Sequence, residues 1–540
     1  MPLLPLALLL ALSRVAGAAP NVLFLMTDQH RADAYSASLT PSLWALGAKG
    51  LHFPRMYSST PTCTPARSAL LSGRSPWWHG MLGYGNVACN EYPLHLPTAM
   101  AARGYRVATI GKSHYYNPDC TDKQGLPPTH GWQESYLYDG LGDGLYNTTN
   151  TQEFDTYDAW FQRQCPGCDP LATGEPLMDW NSWRGAPYIY NESWHPTAWV
   201  GATASAWLRN YSASPRTQPF VLKVSFHRPH SPYDPPARLL DATPASELPP
   251  LRTGGNWDAV YSGGAGAPSG CAPSPDAWCG AQAPAADVEL GRRAYRASIK
   301  FVDEHIGGIV RELEASGLAD DTWILWVSDH GDGQGDHFLH RKGFPYELST
   351  NVPGLIVWPP AVAAKLPRGS RSPLLAELRD VLPTLLDIAG APGNGAPGTN
   401  GSSWKCLVTS DPSGATCGGA GGEPWRAWLD LEHSTLFNET VHWNALTDGS
   451  VKYIFHAFFP KEQLFNISAD PFEMTDLAPD PQFASVLATW RARLAAQFAA
   501  EGRGPAWVSA DGTLQRRANG QTYGPYFPGP PDAGRAWKSI

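Results

Sequence analysis

Cys63 stands in the run Thr60-Pro61-Thr62-Cys63-Thr64-Pro65-Ala66-Arg67-Ser68-Ala69-Leu70-Leu71-Ser72-Gly73-Arg74. Pro65 and Arg67 precede an apolar stretch that reads as helix from Ser68 to Leu71. A turn that feeds a helix N-terminus offers unpaired N–H donors to an anion. Arg67 adds a guanidinium near the same point. This is a suitable place for a nucleophile that attacks an anionic ester. The structural alternative is an ordinary buried or bridged cysteine.

Other reactive side chains follow apolar runs. Asn21 to Met26 leads into Asp28, Gln29 and His30, and Thr322 to Val327 leads into Asp329, His330, Gly331 and Asp332. Arg106 to Ile110 ends at Gly111-Lys112-Ser113-His114, and Phe220 to Phe226 ends at His227-Arg228-Pro229-His230. Residues just beyond buried strands occupy the ligand crevice of open α/β sheets. Two acidic strand ends brought together would suit a hard divalent cation. Taken singly, Asp28 also reads as a loop-capping carboxylate and Lys112 as a solvated charge.

Cys-X-Pro-X-Arg followed by Leu-X-Gly resembles the signature of the type I sulfatases, in the alkaline phosphatase superfamily. The other blocks occur in that family's order, and the resemblance spans roughly residues 20 to 480. It implies that Cys63 is oxidised to formylglycine (3-oxoalanine) by a separate formylglycine-generating enzyme. It implies a metal held by Asp28, Gln29, residue 63, Asp329 and His330. Gln29 replaces a second Asp and His330 replaces the Asn of many members. These exchanges remove a charge and add a nitrogen donor. Ca²⁺ is the expected ion, with Mn²⁺ or another divalent metal as the alternative.

The resemblance also assigns roles. Lys112 and Lys342, with Arg67, would offset charge on the sulfuryl oxygens. His114 would assist proton removal from the formylglycine hydrate, and His230 would protonate the leaving oxygen. His227 competes with His230 for that role. A geminal diol allows sulfate to be expelled by elimination, which gives a physical reason for the modification. Asp332, Asp336, His337 and His340 read mainly as loop-ordering residues, and Asn86 as a weak candidate for substrate contact.

These residues need a scaffold of strands alternating with helices. The pattern predicts an α/β fold: a large, mainly parallel or mixed sheet sandwiched by helices, as in alkaline phosphatase, with a smaller C-terminal α+β subdomain. A long amphipathic helix is expected from Gly291 to Ser316, and a C-terminal helix over 482–500. Residues 131–195 and 240–290 read as loop insertions. The expected division is a signal peptide at 1–18, a catalytic domain at 19–388, a Gly/Pro-rich connection at 389–422, the α+β subdomain at 423–502 and a tail at 503–540.

The 540 residues carry a net charge of −9, which offers no general attraction to nucleic acid. The apolar Met1–Leu12 followed by Ala16-Gly17-Ala18 reads as a secretory signal peptide, with no membrane span left after cleavage. Secretion, or residence in an endomembrane lumen, agrees with sequons at Asn147, Asn191, Asn210, Asn400, Asn438 and Asn466. Nine cysteines leave one odd thiol in an oxidising compartment. Cys165/Cys168, Cys271/Cys279, Cys406/Cys417 and Cys89/Cys120 are candidate pairs, although spacing does not fix connectivity.

The expected activity is hydrolysis of a small-molecule or carbohydrate sulfate ester. A phosphonate monoester or phosphodiester hydrolase of the same superfamily is the alternative. A catalytically dead secreted glycoprotein is a third reading, which would predict damaged site blocks.

Overall fold

A computed structural model of the chain describes residues 19–84, 92–114, 130–140, 156–175, 178, 182–215, 217–262, 279–280, 283–419, 422–434, 441–457, 461–517 and 522–527. In chain order the strands are β1 (Asn21–Asp28), β2 (Gly50–His52), β3 (Met56–Tyr57), β4 (Arg106–Gly111), β5 (Glu134–Leu137), β6 (Phe220–Pro229), β7 (Thr322–Ser328), β8 (Gly354–Val357), β9 (Ser370–Arg371), β10 (Ala376–Glu377), β11 (Leu429–His433), β12 (Trp443–Thr447), β13 (Val451–His456) and β14 (Glu462–Asn466). The helices are α1 (Pro41–Gly47), α2 (Cys63–Ser72), α3 (Pro76–His79), α4 (Leu96–Ala101), α5 (Thr156–Gln164), α6 (Pro196–Ala213), α7 (Ala237–Asp241), α8 (Ala285–Ala315), α9 (Glu347–Thr350), α10 (Val381–Ile388), α11 (Trp404–Thr409) and α12 (Ala484–Ala500).

Eight strands form one mixed sheet in the order β5-β4-β6-β1-β7-β8-β2-β9. β1 pairs in parallel with both β6 and β7, so its entire run is buried. Alternate side chains of β1 enter different cores. Val22, Phe24 and Met26 pack toward α2, α4, α10 and α11. Leu23 and Leu25 pack toward α6 and α8. This two-sided burial explains why the strand reads as an uninterrupted apolar run.

β11 to β14 form a separate antiparallel sheet. One face packs on α12 through Tyr453, Leu464, Trp490 and Phe498. The other buries Trp443, Ile454 and Phe465 against Tyr57, Trp257, Phe344 and Tyr346. The smaller sheet therefore leans directly on the loop that follows Lys342.

Two stretches carry more structure than their composition suggests. Within 131–195, β5 pairs in parallel with β4 at the edge of the large sheet. Within 389–422, Trp404, Leu407 and Val408 of α11 join the same core as α2 and α10. Their spacing of three and four residues puts them on one helical face, and they anchor this Gly-rich stretch to the catalytic body.

Disulfides link Cys165 to Cys168 and Cys406 to Cys417. Cys279 is also disulfide-bonded. Cys89, Cys120 and Cys271 lie outside the described residues, as do the proposed signal peptide, Asn86, Asn147 and Asn438. Among the described cysteines, the buried Cys63 is the free thiol. Asn191, Asn210, Asn400 and Asn466 are exposed. Among the described residues, no helix is long and apolar enough to cross a membrane.

Candidate active site

Cys63 opens α2, a helix whose residues are all buried and which ends at Gly73 in the left-handed conformation (φ 67°). Thr62 precedes it in extended geometry (φ −141°, ψ 155°). The Thr62 hydroxyl meets His433 Nε2 at 3.1 Å, and His433 Nδ1 lies 2.9 Å from the Val441 carbonyl. His433 Nδ1–H therefore donates to that carbonyl, and Nε2 accepts from Thr62. The smaller sheet thus braces the turn that presents Cys63.

Four groups converge on the Cys63 sulfur. Lys342 Nζ lies 3.1 Å away, His330 Nε2 3.2 Å, Lys112 Nζ 3.7 Å and Asp28 Oδ1 3.9 Å. Asp28 ends β1, while Asp329 and His330 follow β7, the strand paired beside it. Ligand atoms of Asp28, Cys63, Asp329 and His330 all lie within 4.8 Å of one another. His330 Nδ1–H donates to the Gly331 carbonyl at 3.0 Å, which leaves the Nε2 lone pair facing the cluster. Burial, with Lys342 nearby, lowers its pKa to about 4, so the imidazole is neutral and able to ligate.

Gln29 completes the set. Its backbone is left-handed (φ 65°), a costly conformation for a non-glycine residue that clusters at functional sites. The backbone N–H donates to Asp329 Oδ1 at 3.1 Å and the carbonyl accepts from Tyr295 at 2.8 Å. The side-chain amide nitrogen donates to Asp332 Oδ2 and Tyr233 Oη. A carboxylate only accepts, so this contact fixes which amide atom is nitrogen. Oε1 is left buried with no hydrogen-bond partner. A buried carbonyl oxygen without a donor is costly unless a cation satisfies it. Three residues offering oxygen and one imidazole, beside position 63, fit a divalent cation.

The electrostatics are unequal across the two carboxylates. Burial opposes ionisation of Asp28, but Lys112, His230, His330 and Arg67 outweigh it and hold its pKa well below the usual range. Burial, reinforced by the charge on Asp28, raises Asp329 to about 6. Two buried carboxylates this close oppose each other's ionisation. A cation would relieve that repulsion.

Arg67 is fully buried. It donates to Asp329 Oδ2 (3.0 and 3.1 Å), Asp28 Oδ2 (3.0 Å), the Lys112 carbonyl (3.0 Å) and Ser225 Oγ (3.2 Å). The family resemblance implies that it offsets charge on the sulfuryl oxygens. In the structure its donors are directed to protein oxygens, and it orients the carboxylates. Lys112 reaches Asp28 Oδ2 at 2.7 Å. Beneath it lies Lys223, whose Nζ donates to the Lys112 carbonyl at 3.0 Å. Burial and the Arg67 charge push Lys223 well below the usual lysine value.

His230, His227 and His114 are all buried. His230 Nδ1–H donates to the Ser231 carbonyl at 2.8 Å, and Nε2 accepts from Lys342 Nζ at 2.6 Å. Burial, then Lys342 and Lys112, push it well below 6.5, so its resting form is neutral. His227 instead pairs with Arg228 at 2.6 Å, and Arg228 is held by Asp234. His114 is also left-handed (φ 53°). Asp139 Oδ1 accepts its backbone N–H at 2.9 Å and that of Ser113 at 2.6 Å, which fixes the turn. Its Nε2 lies 2.8 Å from Tyr84 Oη. Burial, Lys112 and Arg67 keep it neutral, as a proton acceptor must be.

Asp332, Asp336, His337 and His340 order loops. Asp332 accepts from Gln29, Tyr233, and the backbones of Gln334 and Arg341. Asp336 pairs with Arg31 and Arg252, and His337 with Asp258. His340 stacks on Trp183.

The Sulfatase family model matches residues 20–391. The chain belongs to the sulfatase family. An arylsulfatase of Clostridium perfringens is 31% identical over 476 residues, covering 86% of this chain and 91% of that protein. Among solved structures, a phosphonate monoester hydrolase from Silicibacter pomeroyi superposes with a TM-score of 0.69 at 21% identity, covering 93% of this chain and 100% of that one. A protein solved with its substrate D-glucosamine-2-N,6-O-disulfate gives 0.65 at 20% identity, covering 90% and 99%. At these identities the two superpositions speak for the fold. The family places the chain among sulfatases, enzymes that hydrolyse sulfate esters.

Proposed function

We propose that this sulfatase cleaves sulfate monoesters of small molecules or carbohydrates through a formylglycine made from Cys63, beside a divalent cation. The observation that carries this reading is the convergence of Lys342, Lys112, His330 and Asp28 on the Cys63 sulfur. That sulfur marks where an oxygen of the modified residue would lie. Asp28, Gln29, Asp329 and His330 would hold the cation, with residue 63 as a further ligand. When bound, the cation would lower the pKa of a hydroxyl and draw in a sulfate oxygen.

The remaining work falls to the chain's own groups. Lys112 and Lys342 bind the sulfuryl oxygens, where negative charge accumulates. Arg67 keeps both carboxylates aimed at the cluster. Lys342 and His230 form a donor pair beside the leaving oxygen. A sulfate group would draw the Lys342 ammonium away from His230 Nε2, which can then take a proton from solvent and give it to the departing alkoxide, while Lys342 keeps its charge. His114, neutral and set by the Asp139 turn, accepts the proton released at residue 63.

The test compares 4-nitrophenyl sulfate with an aryl phosphonate monoester, on enzyme whose residue-63 peptide has been weighed. Faster sulfate turnover by aldehyde-bearing enzyme supports the reading. Preference for the phosphonate would replace it with the alternative hydrolase. An unmodified thiol in fully active protein would remove the formylglycine. We also propose secretion or residence in an endomembrane lumen, with glycans on the exposed sequons. Glycosidase-sensitive mobility of medium or lumenal protein tests this.

A further inference from the structure

A cavity of about 430 Å³ lies between the chain after β1, the segment near Arg252 and the first turns of α8. Four guanidiniums line it: Arg31, Arg252, Arg292 and Arg296. Arg31 and Arg252 are each matched by carboxylates, pairing with Asp33 and Asp336 at 2.8 to 3.2 Å. Glu247, also on the wall, lies 3.4 Å from Lys300.

Among the described residues, Arg292 and Arg296 make no salt bridge. They stand one helical turn apart on α8, so both project from one face. Arg292 donates to the Pro249 carbonyl at 2.7 Å and makes no salt bridge to a described residue. Arg296 Nε is buried with no hydrogen-bond partner. Burial pulls both below the ordinary arginine value; Asp336 opposes this at Arg292, and Asp33, Tyr295 and Glu247 oppose it at Arg296, while neighbouring guanidiniums add to it. Four guanidiniums face three carboxylates on the wall, Asp33, Glu247 and Asp336, so the partly enclosed space keeps an excess of positive charge that an anion would offset.

We propose that this cavity is a second oxyanion site, where Arg292 and Arg296 hold a sulfate group, either free inorganic sulfate or one carried on a sugar. A guanidinium presents a planar fork of N–H donors that matches two oxygens of a tetrahedral anion. Two such forks carry enough charge for either a free sulfate dianion or the monoanion of a sulfate ester. The site is separate from the nucleophile, since none of its guanidiniums contacts Cys63. It shares a wall with the metal cluster: Tyr295 donates to the Gln29 carbonyl at 2.8 Å and accepts from the Arg31 backbone at 3.0 Å. Arg31 also donates to the carbonyls of Asp332 and Gly333.

Selenate, isosteric with sulfate, provides the test, because occupancy is read without turnover. Crystals of the full-length protein soaked in sodium selenate should show two anomalous selenium peaks, one near residue 63 and one between Arg292 and Arg296. Calorimetric titration with selenate at physiological sodium chloride should resolve two sites. The double variant Arg292→Gln/Arg296→Gln should lose the second peak and weaken that site about tenfold or more, leaving the first site and the melting temperature near wild type. Soaking Cys63→Ala with D-glucosamine-2-N,6-O-disulfate tells the sources apart. Density from this sugar in the cavity assigns a sugar-borne sulfate, and selenate density alone assigns a free anion. Wild-type protein with a peak only near residue 63 in both soaks would overturn the proposal. So would a second crystal peak without a second site in solution, which is an adventitious ion only.

Discussion

Trp443 donates its indole N–H to the Gly343 carbonyl at 2.7 Å, one residue beyond Lys342. Gly343 is left-handed (φ 90°), and its own N–H reaches the Pro61 carbonyl at 3.1 Å. The smaller sheet therefore reaches the loop bearing Lys342, and through it the chain just before Cys63. Trp443→Phe keeps the ring's bulk and removes the donor, leaving a buried carbonyl unpaired. Because a small misplacement of a charged group is expensive in a preorganised site, kcat should fall by about tenfold with a smaller change in KM. If steady-state kinetics gave an unchanged kcat alongside a lowered melting temperature, Trp443 would be purely structural.

Cys63 sits at the first position of a buried helix, and its sulfur makes contacts a methyl group does not need. Cys63→Ala should fold with a near-native melting temperature and release no sulfate from 4-nitrophenyl sulfate. The wild-type peptide spanning residue 63 should carry an aldehyde instead of a thiol. Sulfate release by the folded alanine variant would end the nucleophile assignment.

Asp332 orients Gln29 without joining the metal cluster itself. Exchanging it for Asn replaces a pure acceptor with a group that can present N–H to the Gln29 amide. The amide then loses the contact that aims Oε1 inward. Metal affinity should drop on the order of 10- to 100-fold, as it does when an outer partner of a ligand is lost. Elemental analysis after dialysis against graded chelator measures this. Undiminished metal retention in Asp332→Asn would mean that Gln29 Oε1 does not serve the ion.

The reactive residues legible in the sequence are those that follow buried strands. Asp28, Lys112 and Asp329 each end or follow an apolar run, and the β-sheet register alone brings β1, β4, β6 and β7 side by side. The direction of Arg67 was not legible, because it is set by Ser225 and the Lys112 carbonyl, far away in sequence. Asp139, Tyr84, His433 and Trp443 come from segments without a local chemical pattern. β12 carries no legible strand pattern, because Trp443-Asn444-Ala445-Leu446-Thr447 is buried on both faces while mixing polar and apolar types. In 389–422, Gly and Pro mask the helical spacing of Trp404, Leu407 and Val408, and only packing against α10 reveals it.

Buried histidines set the response to acid. Burial holds His30, His79, His95 and His340 neutral, with pKa values lowered to about 3. In the unfolded chain the same groups titrate near 6.5. Below that value the unfolded state binds more protons than the folded one, so stability falls as pH drops from about 6.5 toward 3. Glu473 runs the other way. Burial, opposed by Lys452 but reinforced by Glu347, raises it to about 7, so its share of stability is full below 4.5 and lost as pH rises to 7. Asp329 and Glu501, raised to about 6 and about 7, act in the same direction. His442 is also lowered to about 3, and His52, His305, His433 and His456 to about 4. The imidazoles outnumber these carboxyls, so chelator-treated protein should melt at progressively lower temperature between pH 7 and pH 5. Glu473→Gln should steepen that fall, because the variant loses a group that gains stability in acid. A melting temperature that rises on acidification, or a Glu473→Gln slope shallower than wild type, would contradict this assignment.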